Sequence, residues 1–418
     1  MACSKRLSGF AGIQRVIEPM STTSDQSGER FLPLSEPCLQ GNEWQYVKEC
    51  LDSGWISSVG AFVNRFEQRV AEYVGVKHAV ATVNGTSALH AAMLTAGVEP
   101  GDEVLVSTLT FIATVNAIRY AGAHPVLIDS EPRYWQMDPQ LVRDFLRREC
   151  RAEHGELRNR VTGRRVRAIM PVHVLGHPVD LPAITAEAEA FGLRLIEDAA
   201  ESLGASLHWK KIGATSDLAC LSFNGNKTIT CGGGGMILTN SQSDADRARY
   251  LTTQAKDDAI EYIHNEVGYN YRMTNVLAAI GLAQLEQLDG FVQRRREIAA
   301  YYRSGLCGAG LTWHTDAPGA SSTSWLSTAL VDPVQAGVTA CELRDQLQRS
   351  KIQTRRLWQP MHLSPAHQSA QAVLNGTADR LFEQALSFPS TPNLTDGDLE
   401  RVVQATGGVL RTRVRRAA

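Results

Sequence analysis

No stretch of this 418-residue sequence strings together enough apolar residues to cross a bilayer, which takes about 20 in a row. A helical membrane protein is thereby excluded. The eight cysteines, scattered from Cys3 to Cys341, contain no C-x-x-C pair, and no histidines join them at zinc-ligand spacing. Neither a metal site nor a dithiol redox centre is expected, and the cysteines read as reduced thiols in the cytoplasm. Nor is there an excess of either charge: 42 Lys and Arg against 44 Asp and Glu leave a formal net charge of −2. Nothing global draws the chain to nucleic acid or to a membrane surface. Leu7 to Pro19 is interrupted by Arg15 and Glu18 and lacks the apolar stretch of a signal peptide. Small-molecule chemistry is what remains.

The length exceeds the roughly 100–200 residues usual for one domain. A leader over 1–30, rich in Ser, Thr, Asp, Gln and Gly near its end, is expected to precede a large domain over 31–290 and a smaller one over 291–418. Within the large domain, short β-branched runs alternate with helix-length periodic segments: "AVATV", "EVLVS", "HPVLID", "VRAIMPVHV", "LRLIED" and "LACLSF". This pattern predicts an α/β fold with a mostly parallel sheet flanked by helices, followed by a smaller C-terminal α+β domain. The polar, basic stretch from Arg147 to Arg167 reads as a solvated loop, and the terminal "RTRVRRAA" as a solvated helix end.

Three segments carry chemistry. In "LACLSFNGNKTITCGGGGMILTN" an apolar strand runs into a polar turn, one lysine, Lys227, and four glycines, Gly232 to Gly235. Amine chemistry on a carbonyl needs a lysine that can lose its proton, and the end of a buried strand offers the low-dielectric setting for that. The glycines allow a tight backbone path past a bulky ligand. In "AVATVNGTSALHAAMLTAG" a strand leads directly into Asn84, Gly85, Thr86 and Ser87 and a helical pattern. Free N–H groups at such a helix start suit a phosphate, and N-capping is the alternative. In "LRLIEDAAESLGA", Asp198 closes a strand on the same sheet edge as Lys227. It could pair with a buried cation such as a protonated pyridine nitrogen, or cap a helix beginning at "AAESLGA".

Together with "TFIATVNAI", "SFNGNK", "GGGGM" and "GYNYRMTN", these segments resemble the DegT/StrS family of sugar aminotransferases, which are fold-type I pyridoxal-phosphate (PLP) enzymes. Similarity to the family's branch for bacillosamine and legionaminic acid lies in "LSEPCLQGNEW", "GWISSVG", "FNGNKTIT", "TTQAKDDAIEYIHNEVGYNYRMTN" and "TRRLWQPMH". The resemblance implies PLP carried by Lys227, Asp198 beside the pyridine nitrogen, Glu201 beside the phenolic oxygen and Phe111 stacked on the ring. It implies a phosphate cup of Gly85, Thr86 and Ser222, completed by Asn270 of a partner subunit in a homodimer with shared active sites. Sugar contacts would come from Asn224 and Asn226 beside the lysine and from Arg355, Trp358 and His362. The reaction implied is amino transfer from glutamate to the C4 ketone of a nucleotide-linked 4-keto-6-deoxy sugar. UDP-4-keto-6-deoxy-N-acetylglucosamine is the favoured acceptor and GDP-perosamine synthesis the alternative. Arg356 departs from the branch, standing where proline is usual, and so does Cys231, where threonine is common. A dehydratase of the same fold would carry histidine in place of Lys227. A regulator without catalysis would be expected to lack part of the lysine, aspartate and phosphate set.

Overall fold

The computed structural model describes residues 30–258 and 260–410 in full and 411–414 as backbone. The leader expected over 1–30 lies outside the described residues but for Arg30, as do the side chains of the basic tail. From Leu32 onward the described residues form one unit. Its frame is a sheet of eight strands: β1 (His78–Thr82), β2 (Glu103–Ser107), β3 (His124–Ile128), β4 (Val166–Met170), β5 (Arg194–Asp198), β6 (Leu218–Ser222), β7 (Gly235–Thr239) and β8 (Gln371–Val373). They lie in the order β1-β7-β6-β5-β4-β2-β3-β8. Every adjacent pair from β6 to β8 is parallel, whereas β7 runs antiparallel to both β1 and β6.

The strands are apolar on both faces because helices cover both. Val104 and Val106 of β2, with Leu218 and Cys220 of β6, pack against Ala88, Ala92 and Ile118 on one side. The alternate residues pack on the other: Leu105 against Ile184 and Phe145, and Ala219 and Leu221 with Phe66 and Leu282. This two-residue alternation between two cores is what a doubly covered sheet requires.

The stretch expected to be a loop after Arg147 instead contains an antiparallel hairpin, Cys150–Glu153 with Glu156–Asn159. Its cause is electrostatic. Glu103 is 1% exposed, and a buried carboxylate needs partners; it takes hydrogen bonds from Asn159 Nδ2 and Thr162 Oγ1, each at 2.7 Å. Arg165 then closes the excursion on Asp102, at 2.7 and 2.8 Å.

Toward the C-terminus a second, antiparallel sheet has the spatial order Leu311–Trp313, Ser327–Val331, Ala385–Phe388, Arg355–Arg356. Helices Leu288–Gly305, Ala340–Arg349 and Asp396–Val414 lie with it around an apolar cluster that includes Ile298, Tyr302, Leu343, Phe388 and Val402. We propose that the boundary between a large and a small domain falls near residue 290, within the first of these helices.

Two close approaches fix the sheet edge used below. A Cβ on Gly85 would lie 2.7 Å from Ser222 Cβ, and one on Gly235 would lie 2.5 Å from Asn84 O. The helix start therefore sits directly on β6 and β7. Gly235→Ala is expected to cost about 1–3 kcal/mol as an overpacked contact, read as a lower melting temperature. Gly225→Ala, whose added Cβ meets nothing within 4 Å, should leave it nearly unchanged.

Candidate active site

The carboxyl ends of β1, β2, β4, β5 and β6, with the start of β7, surround a cavity of about 300 Å³. This is where an open α/β sheet offers its ligand crevice. Asn84, Gly85 and Thr86 enter from β1, Thr110, Phe111 and Thr114 from β2, Val172 and His173 from β4. Asp198, Ala200 and Glu201 follow β5, and Ser222, Asn224, Asn226 and Lys227 follow β6. Gly233 and Gly234 approach from β7, and Trp325, Arg355 and Trp358 close the side nearest the second sheet.

Lys227 Nζ donates to Glu201 Oε1 at 3.0 Å, with both side chains largely buried. It also lies 4.5 Å from the centroid of the Trp325 ring. Burial pushes the Glu201 carboxyl up from its ordinary value, and the Lys227 charge opposes that shift. Asp198 is 4% exposed. Its Oδ2 accepts from Thr114 Oγ1 at 2.6 Å and its Oδ1 from the Ala200 N–H at 3.1 Å. Because the Thr114 hydroxyl donates to Asp198, its 2.8 Å contact with Thr110 is donated by Thr110. No helix follows Asp198; residues 200–204 form turns. The helix-cap alternative for this aspartate is thus removed.

At the β1 end, Asn84 does cap the helix Gly85–Thr95, its Oδ1 accepting from Ser87 N at 2.7 Å. The N–H groups of Gly85 and Thr86, together with Ser222 Oγ, are left on the cavity wall. Phe111 is 53% exposed at that wall. Across the cavity, Arg355 comes from the short strand Arg355–Arg356, and burial lowers its pKa against the opposing charge of Glu201. Trp358 stacks near Trp325, with centroids 6.5 Å apart and planes at 11°.

Of the residues expected at the site, Lys227, Asp198, Glu201, Gly85, Thr86, Phe111, Ser222, Asn224, Asn226, Arg355 and Trp358 all line this cavity. His362 does not. Its Nδ1 lies 2.8 Å from Thr108 Oγ1 and its Nε2 lies 2.9 Å from Asp379 Oδ1, so it ties its own segment to the end of β2. Asn270 is also outside the cavity, exposed on a ribbon bridged to Thr253. The glycine run divides: Gly233 and Gly234 face the cavity, while Gly235 makes room for Asn84. Arg356, in place of proline, is held by its ladder with Leu386, by donation from Nε to Phe382 O at 3.0 Å, and by the Phe382 ring 4.1 Å away. Thr110, Thr114, His173 and Trp325 also line the cavity, beyond the residues expected there. The two threonines carried a signal, since they stand four apart just beyond a buried strand.

The residues fit PLP. A half-exposed aromatic face beside unpartnered helix N–H groups offers a wall for a flat ring and a seat for its phosphate, with an amine and a carboxylate in the same cavity. The match to known proteins agrees. The model of the DegT/DnrJ/EryC1/StrS aminotransferase family covers residues 37–406, and the chain belongs to that family. It is therefore a PLP-dependent aminotransferase of fold-type I. It is 39% identical over 367 residues to a GDP-perosamine synthase of Escherichia coli O157:H7, covering 88% of this chain and 95% of that one. A GDP-perosamine synthase of Caulobacter vibrioides is 40% identical over 385 residues, 91% of this chain and 98% of that one. The crystal structure of S. venezuelae DesV in complex with a ketimine intermediate superposes with a TM-score of 0.78 at 32% identity, over 88% of this chain and 94% of that one.

Lys227 is the one lysine lining the cavity among the described residues. Lys211 is engaged with Tyr73, and Lys256 lies over Tyr262. Borohydride reduction of the PLP-loaded protein, followed by peptide mapping, is expected to find the cofactor on Lys227; recovery on Lys211 or Lys256 would refute the assignment.

Proposed function

We propose that this aminotransferase makes GDP-perosamine, moving an amino group from glutamate to the C4 ketone of a GDP-linked 4-keto-6-deoxy sugar. What carries the reading is 39–40% identity, over about nine-tenths of the chain, to GDP-perosamine synthases. The UDP-linked acceptor favoured from the sequence, and with it the bacillosamine and legionaminic acid assignment, gives way to the GDP-linked one. No described helix is long and apolar enough to cross a membrane, and we place the enzyme in the cytoplasm.

In this reading PLP supplies, when bound, an aldehyde that takes up the donor's amino group and a ring that withdraws electrons. The chain does the rest. Gly85, Thr86 and Ser222 would hold the phosphate, Phe111 would cover one face of the ring, and Asp198, fixed in orientation by Thr114 and Ala200, would pair with its nitrogen. Glu201 keeps the Lys227 amine in place, and Lys227 Nζ moves the proton at C4 of the sugar. Asn224 and Asn226 flank the sugar, and Arg355 and Trp358 border it from the far wall. One cavity serves glutamate and keto sugar in turn.

The discriminating assay presents purified enzyme and glutamate with GDP-, UDP- and dTDP-linked 4-keto-6-deoxy sugars. The GDP-linked sugar should lead by about tenfold or more in kcat/KM, the scale set by one well-made polar contact. A lead for UDP-4-keto-6-deoxy-N-acetylglucosamine would restore the other acceptor.

The reading includes a homodimer in which Asn270 completes the partner's phosphate site. Its support is the exposed apolar run Trp44, Leu51, Trp55, Ile56 and Val59, and an Asn270 that is exposed and lies outside its own cavity wall. Asn270→Ala should raise the apparent PLP dissociation constant about ten- to a hundredfold, the loss of one hydrogen bond to a charged group. Mixing Lys227→Ala with Asn270→Ala chains should restore activity, because one site of the mixed dimer is then intact. No recovery above the Asn270→Ala background would place Asn270 in its own chain's chemistry.

A further inference from the structure

Glu201 has two oxygens and two different partners. Oε1 faces Lys227, while Oε2 accepts the Leu175 N–H at 2.8 Å. That N–H points at Glu201 because Leu175 is left-handed, at φ 59° and ψ 18°. The leucine is fully buried, and a residue with a branched side chain does not hold this conformation unless its surroundings impose it.

The surroundings can be named. On one side His173 is anchored through both ring nitrogens: Nδ1 accepts from Val179 N at 3.1 Å, so Nε2 carries the hydrogen and donates to Glu197 at 2.8 Å. On the other side Gly176 O accepts from Thr323 N at 3.1 Å. Between them Val174 is bracketed by one side chain. Gln136 Oε1 accepts from Val174 N at 2.9 Å, and Gln136 Nε2 reaches Val174 O at 3.4 Å and Tyr134 O at 2.9 Å. Gln136 is 2% exposed, and it follows a second left-handed residue, Trp135, at φ 63°. Two disfavoured conformations are thus joined through a single amide.

We propose that Gln136, which does not line the cavity, is a positioning residue for the Lys227–Glu201 pair, acting through the left-handed turn at Leu175. It fixes Val174, Val174 sets the direction of the Leu175 N–H, and that N–H commits Oε2 so that Oε1 is the oxygen offered to Lys227. The proposal rests on the reading of Lys227 as the reacting amine.

The charged groups facing Glu201 are Lys227 from the β6 end, Asp198 from β5 and Arg355 from the second sheet. The Leu175 N–H favours the ionised carboxylate. Its loss therefore raises the pH at which Glu201 takes up a proton and the ion pair breaks, and the acid limb of the activity profile should move to higher pH.

Gln136→Met keeps the length and removes both hydrogen-bonding functions. In holoenzyme labelled with 15N-leucine, the Leu175 amide, assigned by its absence in Leu175→Met, should shift on acid titration in the parent and lose that response in Gln136→Met. Turnover should fall about tenfold or more, the equivalent of one hydrogen bond to a charged group, with KM for the sugar unchanged. Should Gln136→Met not fold, Gln136→Asn, one methylene short of Val174, carries the same readouts. An unaltered Leu175 amide response overturns the proposal, and so does an unmoved acid limb with full kcat. Cofactor trapped on another lysine would instead overturn the reading of Lys227 and leave the amide result standing.

Discussion

A lysine and a glutamate buried together at the end of a parallel sheet impose most of what surrounds them. Taking two charges out of water costs several kcal/mol apiece unless the geometry and the remaining lone pairs are satisfied. Glu201 meets this condition with Lys227 on one oxygen and Leu175 N–H on the other. Thr323 Oγ1 donates to Glu201 O at 2.8 Å, and Trp325, two residues later, lies under the ammonium. Even the buried Arg295 takes part, donating to Trp325 O at 2.9 Å and so fixing the residue on which Lys227 rests.

The sheet was legible because its strands are buried on both faces and so read as short continuous apolar runs. Asp198 and Lys227 were legible for the same reason, since each follows such a run and must stand at its end. Thr114 and Trp325 were harder to see. Their roles depend on contacts with residues far away in sequence, which no local pattern encodes. The hairpin after Cys150 escaped notice because its strands are polar, and only the buried Glu103 beneath explains why they pair. His362 sits in the segment similarity pointed to, yet its neighbours in space are Thr108 and Asp379. Proximity in a motif did not translate into proximity to the cavity.

Arg356 shows how a local rule can be replaced. Proline restricts a segment through its ring; here the neighbouring strand and a guanidinium on a carbonyl restrict it from outside. The identity of the sugar is less legible than the chemistry for a related reason. The reacting groups follow from strand ends, whereas the choice among sugars, in the function proposed above, falls to polar side chains of the cavity wall such as Asn224, Asn226 and Arg355, and single polar contacts are worth only a few kcal/mol.

The place of β7 in the sheet bears on how the enzyme is born. Among the described strands of the sheet β1 pairs with β7 alone, its last residue Thr82 also bridging Arg272, and the helix start that follows β1 rests on Gly235 of β7. During synthesis the first strand of the sheet must therefore wait for residues near 235 to leave the ribosome, a delay on the order of ten seconds at ordinary elongation rates. Throughout that interval "AVATV" is an unpaired apolar segment, and the nascent chain is most exposed to aggregation or chaperone capture before β7 is made.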